Sequence, residues 1–164
     1  MPYRKLKDFE LWSHVSPLND TLVINKPIDI QYFTWSNHVP CYEANMYVHK
    51  RLLDKVASST LKQEAGLIIH LIRFVENQPS INSFHQLTDA LFRLFVQSLQ
   101  TEMLPTGELK RENNRVVEIA ERCLDFLKFV QAFHDLTNFI GSDKANAIQT
   151  IEKPYKIKIE GQKG

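Results

Sequence analysis

The sequence predicts an all-α domain of four helices. Between residues 41 and 135, apolar side chains recur at spacings of three and four, and two of the periodic stretches open on a helix-start signal. Strand-like alternation is confined to the two ends of the chain. The sequence therefore divides into an N-terminal extension with short strands (1–40), a helical domain (41–135) and a polar tail (136–164).

In the extension, "TLVIN" (21–25) and "IDIQYF" (28–33) alternate as short strands interrupted by Lys26 and Pro27. Trp12, Tyr32, Phe33 and Trp35 give this segment apolar surface to dock with, and alone it is too small to fold. The first helix, over 42–56, follows Pro40 and carries Ala44, Tyr47, Val48, Leu52 and Val56 on one side. The second begins at "ASSTLKQE", where Ser59 or Thr60 serves as N-cap and Thr60 with Gln63 matches a capping box. Its middle, "AGLIIHLIRFV", is apolar on nearly every side, which predicts a buried central helix. The third opens on Thr88 as N-cap, with Asp89 in the first turn where the helix dipole favours a negative charge. The fourth lies in "KRENNRVVEIAERCLDFLKFV" (110–130), with Val116, Ala120, Cys123, Leu127 and Val130 forming its stripe. The predicted core includes Leu61, Ile68, Ile72, Leu91, Phe95, Ala120, Leu124 and Leu127. The tail, with "GSDKANAIQT" and then the strand-like "KPYKIKIEGQKG", reads as a linker strand toward a further domain.

Composition narrows the function classes. Hydrophobic content of 43% and charged content of 24% over 164 residues are those of a globular domain with a real core. No apolar run approaches the roughly 18 residues a membrane span needs, and "MPYRKLKDFE" has no apolar signal region. Cys41 and Cys123 provide no disulfide framework, and Cys123 on a core face suits a reduced, cytoplasmic protein. The net charge of +1 gives no compositional support for a nucleic-acid partner, so any such surface has to be a local patch.

The order and lengths of the helices resemble the N-terminal core-binding (SAM-like) domain of tyrosine recombinases, the phage integrase family. The likeness rests on "PCYEANMYV", "SSTLKQEAGLIIHLIRFV", "FHQLTDALFRLFVQSL" and "GELKRENNRVVEIAERCLDFLKFV", and covers about residues 40 to 135. Individually these motifs are degenerate caps and core positions; their order and spacing carry the match. The resemblance implies a SAM-like bundle that grips one face of duplex DNA while a C-terminal catalytic domain of the same protein, absent from this chain, closes over the other. It also implies a cytoplasmic integrase of a phage or bacterial mobile element that self-associates on DNA. The starts of the second and fourth helices become the DNA-facing ends: Ser58, Ser59, Thr60 and Lys62, then Lys110, Arg111, Asn113, Asn114 and Arg115.

Elementary chemistry points the same way. A helix N-terminus presents unbonded N–H groups and partial positive charge to phosphate oxygens. Arginine adds bidentate bonds to phosphate or to a guanine edge, and asparagine bonds an adenine edge bidentately. A second basic cluster, Lys50, Arg51, Lys55 and Lys62, faces the single acid Asp54. The bland alternative is that Asn113 caps the fourth helix and the cations are simply solvated.

Enzymatic readings fail on the residues. His70 and Arg73 match the H-x-x-R spacing of the recombinase catalytic box, but they sit in the most apolar helix and not in a second domain. Tyr155 lacks the flanking pattern of a nucleophile. This chain is expected not to cleave DNA. His38-x-x-Cys41, with His49, is at most half a metal site, so neither metal nor cofactor is expected. A different class of function stays open: a helical protein-interaction or scaffold domain whose 10% aromatic content supplies anchors.

Overall fold

A computed structural model describes residues 3–9, 13–15, 18, 22–24, 28–54, 56–136 and 139. These are mostly helical, with four α-helices and two small two-stranded sheets. The chain groups into two compact units, residues 1–69 and 70–164, a division that falls within the second helix.

In the first unit, β1 (Tyr3–Phe9) pairs antiparallel with β4 (Ile28–Phe33), aligning Tyr3 with Phe33 and Leu6 with Ile30. The register shifts between Leu6 and Phe9, where Asp8 takes φ +52° and donates its N–H to Asp29 Oδ1 at 3.2 Å. β2 (Ser13–Val15) and β3 (Leu22–Ile24) form a separate antiparallel pair. β3 and β4 are the two strands expected from alternation. β1 and β2 are additions, and β1 escapes notice because its residues 4–8 are exposed and mostly cationic, as edge strands often are.

A tight turn follows β4: Trp35 N–H donates to Val39 O, His38 N–H to Trp35 O, and His38 adopts φ +68°. It delivers the chain to α1 (Tyr42–Leu53), whose Ala44, Tyr47, Val48 and Leu52 are buried as their spacing predicts. Asn45 ties this helix to the sheet. Its Oδ1 accepts from Phe33 N–H at 2.8 Å, and its Nδ2 donates to Phe33 O at 3.0 Å. α1 stops at Leu53, short of the expected 56, because the chain wraps back and Val56 N–H bonds Arg51 O.

α2 (Ser58–Glu76) starts earlier than its capping-box signature indicates. Leu61 N–H bonds Ala57 O, so Ser59 and Thr60 lie inside the first turn and neither is the N-cap. Leu61, Ala65, Leu67, Ile68, Ile69, Leu71, Ile72 and Val75 are all buried, as expected of a helix apolar on nearly every side.

The second unit contains the end of α2, a 3-10 turn (Phe84–Gln86), α3 (Asp89–Thr101) and α4 (Asn113–Phe133). Thr88 caps α3 as predicted, its Oγ1 accepting from Leu91 N–H at 3.2 Å. Phe92, Phe95, Val96 and Leu99 are buried, while Leu91 is only half-buried and leaves the core list. Phe74, Phe95 and Phe92 form a run of rings with centroids 5.3 and 5.6 Å apart, and Phe84 meets Phe126 edge-on at 5.2 Å. In α4 the whole predicted stripe is buried, together with Ile119, Leu124 and Phe126.

The helix does not include residues 110–112. Glu112 is its N-cap, and the preceding segment folds as a small hairpin. Met103 bridges Leu109, Lys110 N–H bonds Glu102 O, and Gly107 turns the tip at φ +86°, a conformation glycine adopts without steric cost. Among the described residues no helix is long and apolar enough to cross a membrane. The expected linker strand and Tyr155 lie outside the described residues.

Candidate nucleic-acid interface

The start of α2 is built almost entirely from donors. Ser58, Ser59, Thr60 and Lys62 are exposed, and the first turn holds no acid. The N–H groups of Ser58, Ser59 and Thr60 precede the first intrahelical bond, so they face outward for an external acceptor. Lys62 has no acidic partner among the described residues.

The neighbouring cluster at the end of α1 is less available. Lys50 pairs with Asp54 at 3.2 Å on the surface. Arg51 places Nη2 2.6 Å from Glu64 Oε1 and Nε 3.2 Å from Oε2, and the Glu64 side chain is only 5% exposed. That hydrogen-bonded fork raises the guanidinium's pKa and commits half-buried Arg51 to a buried acid. Lys55 lies outside the described residues.

At the start of α4, Arg115 and Val116 N–H both turn back to Glu112 O, leaving the N–H groups of Asn113 and Asn114 ahead of the ladder. Glu112 makes no side-chain cap, and no acid occupies the first turn. Asn113 is half-buried, whereas Asn114 and Arg115 are exposed. Asn113 is therefore the first helical residue and not the cap. Arg115 pairs with Glu118 at 2.6 Å. Lys110 and Arg111 converge on one carboxylate, Glu102, at 2.8 and 2.5 Å.

Exposure sorts these pairs. Surface pairs contribute about 0–1 kcal/mol, so Lys50, Lys110 and Arg115 can exchange their acids for a phosphate at small cost. Arg51, on its buried acid, and Arg111, with a side chain only 9% exposed, cannot do so freely.

Beside the hairpin lies a cleft that sequence reasoning did not find. His70, Arg73 and Phe74 of α2 line it together with Asn77 just past that helix's end, Ser98 of α3 and Glu102 at the C-cap of α3. The signal was present: both helices repeat the spacing i, i+3, i+4, i+7, but such a stripe reads as core when it contains phenylalanine and leucine. Lys110 and Arg111, the cations nearest Glu102, pull its carboxyl down to about 2. Burial, then the charges of Arg111 and Arg115, push His70 down to about 4. His70 is thus neutral at physiological pH, with one nitrogen donating and the other accepting. His70 and Arg73, set aside as a catalytic box, are cleft-lining residues, with Arg73 paired to Glu76 at 2.5 Å.

The two cysteines are buried thiols, and Cys41 N–H bonds Phe33 O. No family model, curated protein or solved structure matches the chain.

Proposed function

We propose that this chain is the DNA-binding N-terminal module of a site-specific tyrosine recombinase, an integrase of a phage or bacterial mobile element. In this reading it grips duplex DNA in the cytoplasm, self-associates on it, and leaves strand exchange to a catalytic domain outside these residues. The observation that carries the reading is the start of α2, where three exposed hydroxyl residues, their outward N–H groups and Lys62 stand together without an acid in the first turn. That is the chemistry of a phosphate clamp. The exposed Asn114 and Arg115 supply a second contact, able to meet base edges or backbone.

Fluorescence anisotropy of the full chain on duplex DNA tests this reading across salt concentrations. Affinity falls as salt rises, and Lys62→Ala lowers the slope of log K against log salt by about one unit. A suicide substrate gives no covalent adduct on a denaturing gel; an adduct lost in Tyr155→Phe would restore that tyrosine as nucleophile.

A protein-interaction module is the second reading. It is favoured by the acid partners held by Lys50, Arg51, Lys110, Arg111 and Arg115, and by the exposed Met103, Leu104 and Leu109 on the hairpin. Absence of duplex binding at low salt selects it.

A further inference from the structure

We propose that the cleft beside the 102–111 hairpin binds a small organic phosphate, with the phosphate on Arg111 and the organic body over Phe74. The cleft encloses about 380 Å³, within the range of ligand sites. The inference stands on geometry within one unit and does not depend on DNA binding.

Arg111 is the central observation. Its side chain is 9% exposed, yet among the described residues only Nη1 is engaged, on Glu102 Oε2. Arg111 lines the cleft, and none of its other guanidinium nitrogens is a buried atom without a partner. A guanidinium presents five donors in a planar fork, so most of its bonding capacity is unspent. Arg111 is not the hairpin's only tie to Glu102, because Lys110 also reaches Glu102 through both its N–H and its Nζ.

Charge sets the sign of the ligand. Glu76 offsets Arg73, but one carboxylate, Glu102, serves both Lys110 and Arg111. Among the cleft-lining residues and Glu76 one positive charge is left over, and an oxyanion supplies its counter-charge through charge-assisted bonds. Burial chiefly holds His70 neutral, with the charge of Arg111 adding to it, and neutral His70 offers a further donor. Bare phosphate would leave the rest of the cleft unused. Half-buried Phe74 and buried Leu99 form an apolar floor, with Asn77 and Ser98 as polar edges. That mixture fits a planar or apolar body attached to the phosphate, as in a nucleoside monophosphate.

The probe is adenosine 5′-monophosphate, titrated into the full chain by calorimetry and followed by amide chemical shifts. The expected result is saturable binding that moves the amides of His70, Asn77 and Ser98, with adenosine and inorganic phosphate each at least about tenfold weaker. Arg111→Ala weakens binding by at least about tenfold. Because that variant also disturbs the hairpin, Ser98→Trp serves as the second variant. It places a large ring among the cleft-lining residues, one turn from Glu102, without removing Glu102, Lys110 or Arg111, and abolishes binding while the circular dichroism spectrum stays native. No binding to the wild-type chain, wild-type affinity in Ser98→Trp, or inorganic phosphate matching the nucleotide would each overturn the proposal. A phosphate can also come from a DNA backbone. Nucleotide binding that persists in saturating duplex supports a separate small-ligand site, whereas displacement by the duplex assigns the cleft to DNA and overturns it.

Discussion

Arg51 and Glu64 form a forked ion pair, Nη2 to Oε1 at 2.6 Å and Nε to Oε2 at 3.2 Å, linking the last turn of α1 to the first half of α2. The pair decides how one of the nominated phosphate-binding cations is used. With Glu64 4% exposed, Arg51→Ala leaves a buried carboxylate without its forked partner and costs about 3 kcal/mol. Urea denaturation reads this as a lower midpoint with unchanged slope. Replacing both residues together, Arg51→Met with Glu64→Leu, recovers much of the loss. If Arg51→Ala keeps the wild-type midpoint, the pair is dispensable and Arg51 returns to the residues free to meet DNA.

The second prediction concerns the core of α2. Ile72 is fully buried, so Ile72→Ala removes a packed side chain and leaves a cavity that the surroundings fill only in part. The expected cost is about 2–5 kcal/mol by chemical denaturation. A cost below about 1 kcal/mol would mean that the interior around α2 collapses freely, which is inconsistent with close packing.

The helices were legible because each carries a stripe that only a 3.6-residue period explains. Leu61, Ile68, Ile72, Phe95, Ala120, Leu124 and Leu127 are buried as their positions require. Boundaries were less legible, for local reasons. Ser58, Ser59 and Thr60 are all competent caps, and the sequence does not say that Ala57 takes the cap position ahead of them. Likewise, the polar run 110–115 looks uniform, yet Lys110 and Arg111 belong to a hairpin and only the residues from Asn113 onward are helical. Pairing is a long-range property, which is why β1 is visible only once β4 is beside it. The same holds for the candidate site. The sequence nominates the cations, but it does not show that Glu102 gathers two of them or that Glu64 holds Arg51.

The third prediction concerns acid. His70 is depressed from 6.5 to about 4, so between those values the unfolded chain binds a proton that the native one refuses. Stability from this group is complete above 6.5 and falls as pH drops toward 4. Glu102, depressed from 4.5 to about 2, contributes above 4.5 and loses its contribution as pH falls through 2. Acidification therefore weakens the fold in two successive windows. The His70 ring protons should titrate with a midpoint near 4 by NMR. His70→Gln should remove this group's contribution to the slope of stability between pH 6.5 and 4. A His70 midpoint near 6.5 would show that the ring is solvated and feels no field from Arg111 and Arg115.

The fourth prediction separates the roles of residues at the start of α4. Arg115 is exposed and its bond to Glu118 is a surface pair, so it can turn to a phosphate. Arg115→Ala should then weaken binding on every duplex and lower the salt slope by about one unit. Asn114 is exposed beside the unbonded helix N–H groups and carries no charge. If it reads an adenine edge, Asn114→Ala costs about 1–3 kcal/mol on the cognate site alone, with the salt slope unchanged. Arg111→Ala should behave differently from both. Its buried side chain holds Glu102, so its loss lowers the denaturation midpoint as well as any affinity. Titrations of the three variants on specific and random duplexes over a range of salt distinguish these patterns. If affinity is unchanged in Arg115→Ala and Asn114→Ala while the fold stays native, the end of α4 is a solvated helix start. The DNA reading would then rest on the hydroxyl-rich start of α2 alone.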